Sequence, residues 1–570
     1  MAQSLPNRED LIFYFLMVDR FFNGDPSNDR AGYDDQPSSV HGFDPTKIRH
    51  YHGGDLRGVI QKLDYIHGLG CNAIWLSPIF KNRWVQGEDT NFHGYSTLDY
   101  FMVDPHFGNL NDLKELVREA HHRGIRVFFD IIPNHTADVI SYAEGGNVEY
   151  RDMENYPLLD ADGFPFSETM VAHPKDRFDL GSGIVFPYQP VVPEGWENVK
   201  NPDWLNRVDM YHNRGPTRWW GKSGIYGDFF GLDDLFTERK EVVQGMTEIF
   251  KYWIREIGID GWRIDTFKHI NKEFWEIFCQ ETRQLALNLG NSQFYQFGEV
   301  ADGNNWRLSS FATQTDVDSV LDFAFQWRVR DFAIEGTPGS SLAQFFEQDD
   351  FFHGSSKDSR LKPTFLGNHD GGRFGHPLHA KASQEPWSEE LTLHTFLLAH
   401  AIMYFSRGQP ILYYGDEQGF TGGGDPNCRE DMFGTQVPTY LALPRIASTN
   451  SLAQSCFDPN HVLYQSLAAM AETRRVFPSL RRGYQRPVQT GPLHQPSVAV
   501  WARDMPDGSD FTLIVANGST NIQSAQLMVP HRQAESYQII YNSRLQASQQ
   551  DVDPNQIIVD ASVLQLEIIS

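Results

Sequence analysis

The stretch Leu110–His135 reads LNDLKELVREAHHRGIRVFFDIIPNH, and it holds one repeat of a pattern that runs through most of the chain. Leu113, Leu116, Val117 and Ala120 recur at three- and four-residue spacing, which predicts an amphipathic helix over Leu110–His122. Gly124, just past the last periodic residue, is the expected stop. Ile125–Phe129 is then a short apolar run of the buried-strand type, and the polar residues Asp130, Asn134 and His135 follow it.

Outward from this repeat, apolar runs lie at Leu11–Val18, Asn72–Leu76, Gly261–Ile264, Gln293–Phe297, Ser319–Phe325, Pro363–Leu366 and Gln409–Tyr414. Helical periodicity separates them over Leu56–Leu69, Val242–Ile257, Lys272–Leu289 and Leu391–Phe405. Eight buried-type strands alternating with helices predict an α/β chain folded as a (β/α)₈ TIM barrel, because each parallel strand needs a crossover helix. A doubly wound open sheet satisfies the same pattern, and periodicity leaves it open.

Two regions break the alternation. Thr136–Gly231 is too long for an ordinary strand-to-helix loop and rich in Pro, Gly and aromatics, so it reads as an inserted subdomain after strand 3. After the helical segment His461–Val476 the chain turns to short alternating runs at Val498–Ala502, Phe511–Ala516, Tyr537–Tyr541, Gln556–Val559 and Leu564–Ile569, predicting a C-terminal antiparallel β-sandwich. The expected division is a barrel of residues 1–135 and 232–480, an insertion of 136–231 and a sandwich of 481–570.

The 570 residues carry a formal net charge of −26. Phosphate backbones and anionic lipid would be repelled, so nucleic-acid and membrane partners are excluded and a neutral substrate fits. Cys71, Cys279, Cys428 and Cys456 lie far apart with no CxxC pair, the pattern of buried thiols and not of a disulfide framework or zinc site. No apolar stretch reaches the ~20 residues of a membrane span. Leu11–Val18 follows Asn7-Arg-Glu-Asp10 instead of a basic segment, so it reads as a strand and not a signal peptide. The expectation is a cytoplasmic protein, or a secreted or periplasmic one if a leader has been removed.

Barrel sites form past the C-terminal ends of the strands. Four runs end in chemistry-bearing residues: Asp130-Ile-Ile-Pro-Asn134-His135, Gly261-Trp-Arg263-Ile-Asp265-Thr-Phe-Lys268-His269, Phe297-Gly298-Glu299 and Leu366-Gly367-Asn368-His369-Asp370. Singly, an Asp or Asn at a strand end is a cap or turn former. Capping does not ask for Glu299, nor for His or Arg beside three of the four acids. Together, and with Phe92-His93-Gly94-Tyr95, Leu232-Asp-Asp234-Leu235 and Tyr413-Tyr-Gly-Asp-Glu-Gln418, these segments resemble, in order, the signature regions of the α-amylase family of glycoside hydrolases.

The resemblance implies a retaining enzyme acting on α-1,4-glucans such as starch, glycogen or maltodextrins. Such an enzyme needs two carboxyls roughly 5–5.5 Å apart, one attacking the anomeric carbon and one protonating the leaving oxygen. By resemblance Asp265 is the nucleophile, Glu299 the acid/base and Asp370 the third acid. Arg263, two residues from Asp265 on one strand, points to the same side and would keep it ionised. The resemblance further assigns sugar contacts to Tyr95, His93, His135 and His369, donor-side contacts to Asp425 and Arg429, and acceptor-side contacts to Lys268 and His269. Phe230 falls where glucanotransferases carry an aromatic, which implies some transfer beside hydrolysis; core packing is its other reading. A sugar-binding protein that keeps the fold without the chemistry is the reading from another class, and the presence of all three acids speaks against it.

Calcium is the implied cofactor. Asn23-Gly-Asp25-Pro-Ser-Asn28-Asp29 crowds oxygen-bearing side chains into one loop and, with Gly53-Gly54-Asp55, is similar to the first calcium loop of cyclodextrin glucanotransferases; a polar turn is the plain alternative. The positions matching the family's other calcium are Asn134, Asp234 and the carbonyl of His269. The expected partner is the α-glucan alone, with the protein a monomer.

Overall fold

The computed structural model describes residues 4–145, 148–172, 183–352, 358–488 and 498–520, and, as backbone only, short strands between 523 and 568. Eight parallel strands form one sheet: β1 (Phe13–Leu16), β2 (Ala73–Leu76), β3 (Arg126–Ile131), β4 (Gly261–Ile264), β5 (Tyr295–Gly298), β6 (Ser319–Val320), β7 (Pro363–Phe365) and β8 (Gln409–Tyr413). Their spatial order is 6-5-4-3-2-1-8-7, which is chain order read around a circle. β1 pairs with both β2 and β8, so the open doubly wound sheet is excluded and the barrel stands. The β6–β7 seam is joined by the Asp322 N–H, which donates to Pro363 O at 2.9 Å.

The strands are buried on both faces because helices cover the outside and side chains fill the inside. Phe13, Phe128 and Phe297 meet inside at centroid distances of 4.9 and 5.5 Å from Phe13. The helix Leu110–His122 forms as predicted, closed at its start by a reciprocal Asn109–Asp112 capping box. Val242–Ile257 is extended to Lys240–Ile257, and Leu56–Leu69 divides into Leu56–Gln61 and Leu63–Gly68. One predicted strand is corrected. Ser319–Phe325 keeps only two residues as β6, and a helix, Phe323–Glu335, begins where the Asp322 side chain accepts from the Phe325 N–H. The helices Asn305–Thr313, Gly339–Glu347 and Gly375–Gln384 were not foreseen.

The long segment after β3 is zipped at its two ends, where His135–Thr136 pairs antiparallel with Asp233–Asp234. Within it, two-residue strand pairs and buried ion pairs such as Arg214–Glu168 (2.5 Å) replace a large core. Past the barrel, β9 (Tyr484–Pro487), β10 (Val498–Asp504) and β11 (Phe511–Asn517) form an antiparallel sheet. Beyond it Gln523–Leu527 pairs parallel with Leu564–Ile568, so the tail is not antiparallel throughout. Most of the predicted runs at Tyr537–Tyr541 and Gln556–Val559 lie outside the described residues. No described helix is long and apolar enough to cross a membrane, and all four cysteines are buried and in no disulfide among the described residues.

Candidate active site

Strand register brings the acids together. Arg263 on β4 lies opposite Asp130 of β3 and Phe297 of β5. The backbone N–H of Asp265 donates to Ile131 O at 2.9 Å, and that of Glu299 donates to Ile264 O at 2.8 Å, so both carboxylates leave their strands at one level of the rim.

The guanidinium of Arg263 is the hub. Its Nη1 donates to Asp130 Oδ1 at 2.8 Å and to Asp265 Oδ1 at 2.6 Å, and its Nη2 lies 3.0 Å from Glu299 Oε2. Asp130 also accepts from Trp75 Nε1 and from the Tyr95 hydroxyl, both at 3.0 Å. That hydroxyl is 2.6 Å from His369 Nε2, which is 3.4 Å from Asp370 Oδ2. Arg429 then links Asp370 (3.2 Å) to Asp425 (3.1 Å). The Asp370 side chain is half exposed, whereas those of Asp265 and Glu299 are 10 % and 15 % exposed. One polar chain therefore runs from Glu299 to Asp425 along the rim.

Three carboxyls around one guanidinium leave the group short of positive charge. Burial pushes the Asp265 carboxyl well above the usual range, with Arg263 opposing and the neighbouring acids adding to it. Burial likewise lifts Asp130 to about 6. Burial pushes His135 down to about 3 and His369 well below the usual imidazole range, so both rings are neutral. His135 Nε2 and His369 Nδ1 are buried and have no hydrogen-bond partner among the described residues, leaving each ring one nitrogen for a further contact. Thr266, a β-branched residue, is held at φ +50°, in the left-handed region. That strain of about 1–2 kcal/mol aims its N–H at Glu299 Oε2, 3.0 Å away.

A model of the alpha amylase catalytic domain matches residues 15–437. The chain belongs to the alpha-amylase family. It is 41 % identical over 492 residues to an alpha-amylase of Streptomyces lividans, an alignment covering 85 % of this chain and 53 % of that one, so it spans about half the relative's length. The crystal structure of an Anoxybacillus alpha-amylase superposes with a TM-score of 0.63 at 27 % identity, covering 90 % of this chain and 88 % of the other. A cyclomaltodextrin glucanotransferase with a three-domain ABC distribution superposes equally well, with a TM-score of 0.63 at 26 % identity and coverage of 89 % and 87 %.

The other positions implied by the alpha-amylase family resemblance are placed as follows. His93 is half-buried, its Nδ1 accepting from the Tyr95 N–H at 3.1 Å. Lys268 extends to the carbonyl of Ala301 at 3.0 Å, and His269 Nδ1 contacts Gly224 O at 2.5 Å. Phe230 is 81 % exposed, which rules out core packing. Its ring lies 4.6 Å from Trp219, itself 47 % exposed and beside Trp220, which is 73 % exposed. Sequence reasoning missed these two tryptophans, which sit in a stretch with no periodicity. It counted Asp130 among the chemistry-bearing strand ends without giving it a role of its own, and only strand register reveals it on the guanidinium.

Of the calcium candidates, Asn23 and Asn28 each bury an amide oxygen without a hydrogen-bond partner. Asn23 Nδ2 donates to Asp29 Oδ1 at 2.8 Å, and burial lifts the Asp29 carboxyl to about 7. A Cβ on Gly53 would come within 2.5 Å of Asp29 Oδ1, so glycine there leaves the cradle open. Asp55 caps Leu56–Gln61 through the Gly58 N–H at 2.6 Å and also accepts from Gly24 and Asp25. Asp25 turns outward and accepts from Ser27 Oγ at 2.6 Å. At the second set, Asp234 accepts from Asn134 Nδ2 at 3.0 Å and lies 2.7 Å from His212 Nδ1, so both its oxygens are engaged by the protein.

Proposed function

We propose that this chain is a retaining glycoside hydrolase cleaving α-1,4-glucosidic bonds of starch, glycogen or maltodextrins. The observation that carries the reading is the Arg263 hub, which holds Asp265 and Glu299 on the two nitrogens of one guanidinium below a half-exposed Asp370. Asp265 attacks the anomeric carbon while Glu299 gives its proton to the departing glycosidic oxygen. A covalent glycosyl-enzyme forms, and Glu299 then takes a proton from the water that cleaves it. Arg263 steadies the Asp265 carboxylate, and Asp370 holds sugar hydroxyls beside the cationic transition state. The neutral ring of His135 donates to a hydroxyl of the sugar being cleaved, and His369, whose Nε2–H is committed to the Tyr95 oxygen, accepts from a hydroxyl through its free Nδ1. Tyr95 and His93 wall the sugar, and Asp425 and Arg429 hold the donor side.

Incubation with maltoheptaose, with products resolved over time, tests this: shorter maltodextrins are expected from the wild type. No cleavage, with Asp265→Asn behaving as wild type, would remove the enzyme reading. Because Asp265 must be ionised to attack and burial raises its pKa, the acid limb of kcat/KM is expected above the usual carboxylate range. A limb at pH 4 or below in a pH–rate profile would contradict the buried-cluster electrostatics.

Phe230 supports some glucan transfer beside hydrolysis, since an exposed aromatic beside Trp219 offers a flat face to an acceptor sugar, with Lys268 and His269 lining the same side. Stacking of this kind contributes about 1 kcal/mol. Phe230→Ala is therefore expected to cut the share of products longer than the substrate roughly five-fold, with hydrolysis little changed. An unchanged product ratio would assign Phe230 no acceptor role.

We read the chain as a barrel of 1–135 and 232–480, an insertion of 136–231 that shapes the cleft, and a C-terminal sandwich of 481–570, working as a monomer on the glucan alone. We also assign a structural calcium to the loop of Asn23, Asp25, Asn28, Asp29, Gly53 and Asp55, where the two unpartnered amide oxygens and a buried carboxylate suit a hard cation. The ion would tie the loop to the start of the helix at Leu56. For Asn134, Asp234 and His269 the protein's own hydrogen bonds already fill the carboxylate, so the first loop is the stronger site. Chelation in metal-stripped buffer is expected to lower the melting temperature by several degrees, restored by calcium and not by magnesium. Equal midpoints with and without chelator would remove the ion.

A further inference from the structure

Where the barrel meets the β9–β11 sheet, buried positive charge outnumbers buried carboxylate. Lys362, Arg407, Arg474 and Arg503 are all essentially inaccessible. Lys362 and Arg407 precede β7 and β8, so this cluster lies at the end of the barrel opposite the catalytic rim. Asp349 accepts from Nε and Nη2 of Arg407 at 2.7 Å each. Asp322 is shared by Arg407 Nη1 at 2.7 Å and Lys362 Nζ at 2.9 Å. Arg474 directs its terminal nitrogens to the carbonyls of Tyr404, Ser406 and Gly408. Arg503 is left with one long contact, Nη1 to Gln485 Oε1 at 3.4 Å, and no carboxylate in ion-pair range among the described residues.

The unfilled donors share one face. Nε and Nη2 of Arg503, the side-on fork that grips anions, are both buried without an acceptor. Gln485 lies directly opposite Arg503 in the β9–β10 register. Its Oε1 accepts from the Arg407 N–H at 2.7 Å, which fixes the amide orientation and leaves Nε2 buried without an acceptor. Trp501, two residues from Arg503 and so on the same face, has a buried Nε1 without an acceptor and a ring 5.4 Å from Phe346. Arginine does not deprotonate in proteins, and a buried charge without a counter-charge is costly. A water could accept hydrogen bonds here but could not neutralise the guanidinium.

We propose that the fork of Arg503, with Gln485 Nε2 and Trp501 Nε1, holds a small monovalent inorganic anion of the chloride class, which locks the C-terminal sheet onto the barrel. Apolar walls from Phe346 and Trp501 favour a weakly hydrated ion over sulfate or phosphate. The cover is close: the helix Gly339–Glu347 sits so tightly on β10 that a Cβ on Gly339 would lie 2.0 Å from Val498 O.

Crystals of the wild-type protein soaked in sodium bromide are expected to show an anomalous peak in contact with Arg503 Nε and Nη2. In solution, replacing gluconate by chloride at constant ionic strength is expected to raise the melting temperature steadily with log chloride. Arg503→Gln and Arg503→Met are expected to lose that dependence while keeping wild-type kcat. A water with no anomalous signal overturns the proposal, as does a chloride dependence unchanged in Arg503→Gln. A bromide peak without any chloride dependence in solution is an adventitious ion only and also counts against it. If neither variant folds, the bromide map and the wild-type titration decide.

Discussion

Asp265→Asn is expected to lower kcat on maltoheptaose by on the order of 10⁴-fold or more, the scale on which loss of a nucleophile is felt, with substrate affinity little changed. The amide keeps the shape of the side chain but cannot form the glycosyl-enzyme. The same change should not destabilise the fold. Asp265 is one of three acids on a single buried guanidinium, and burial already disfavours its charge. Removing one negative charge relieves the crowding, so the melting temperature is expected to stay or rise, as where a site's strain is kept for function. A variant that loses activity only because it unfolds would contradict this account. Calorimetry alongside single-turnover kinetics separates the two.

Arg263→Met is expected to do the opposite to stability. It leaves Asp130, Asp265 and Glu299 facing one another without their cation, and removing one partner of a buried ion group costs about 3–5 kcal/mol. It also removes a guanidinium seated 5.3 Å from the Trp75 ring. The deficit has a signed pH dependence. Without Arg263 the folded-state pKa values of Asp130 and Asp265, already raised by burial, rise further, so their protonation favours the folded variant at low pH. The gap in melting temperature from wild type should therefore narrow from pH 7 to pH 5. Arg263→Lys restores charge without the fork and is expected to recover stability in part and activity hardly at all. A gap that widens on acidification would show that the hub is not electrostatic.

The barrel was legible where a strand or helix carries its own punctuation. Gly261–Ile264 appears with the predicted bounds, as does Leu110–His122 between Asn109 and Gly124. Ser319–Phe325 was misread because the helix that follows β6 buries Phe323, Ala324 and Phe325 in succession, so its first turn looks like the end of an apolar strand. The bend there comes from the Asp322 cap, a single side chain that no periodicity marks. Within the site, Arg263 and Asp265 were readable as strand neighbours. That Asp130 and Glu299 share the same guanidinium depends on the register of three strands more than 160 residues apart end to end. The insertion was opaque for a related reason. Its order rests on pairs such as Lys200–Asp233 and Arg214–Glu168, contacts between residues 33 and 46 positions apart with no local pattern.

The central claim is that Asp265 and Glu299 cleave an α-glucosidic bond by double displacement. Proton NMR of the first product formed from maltoheptaose, read before mutarotation, tests it most directly. The account predicts a new reducing end released as the α-anomer by the wild type and no product above background with Asp265→Asn. Release of the β-anomer, or cleavage that survives Asp265→Asn, would contradict it.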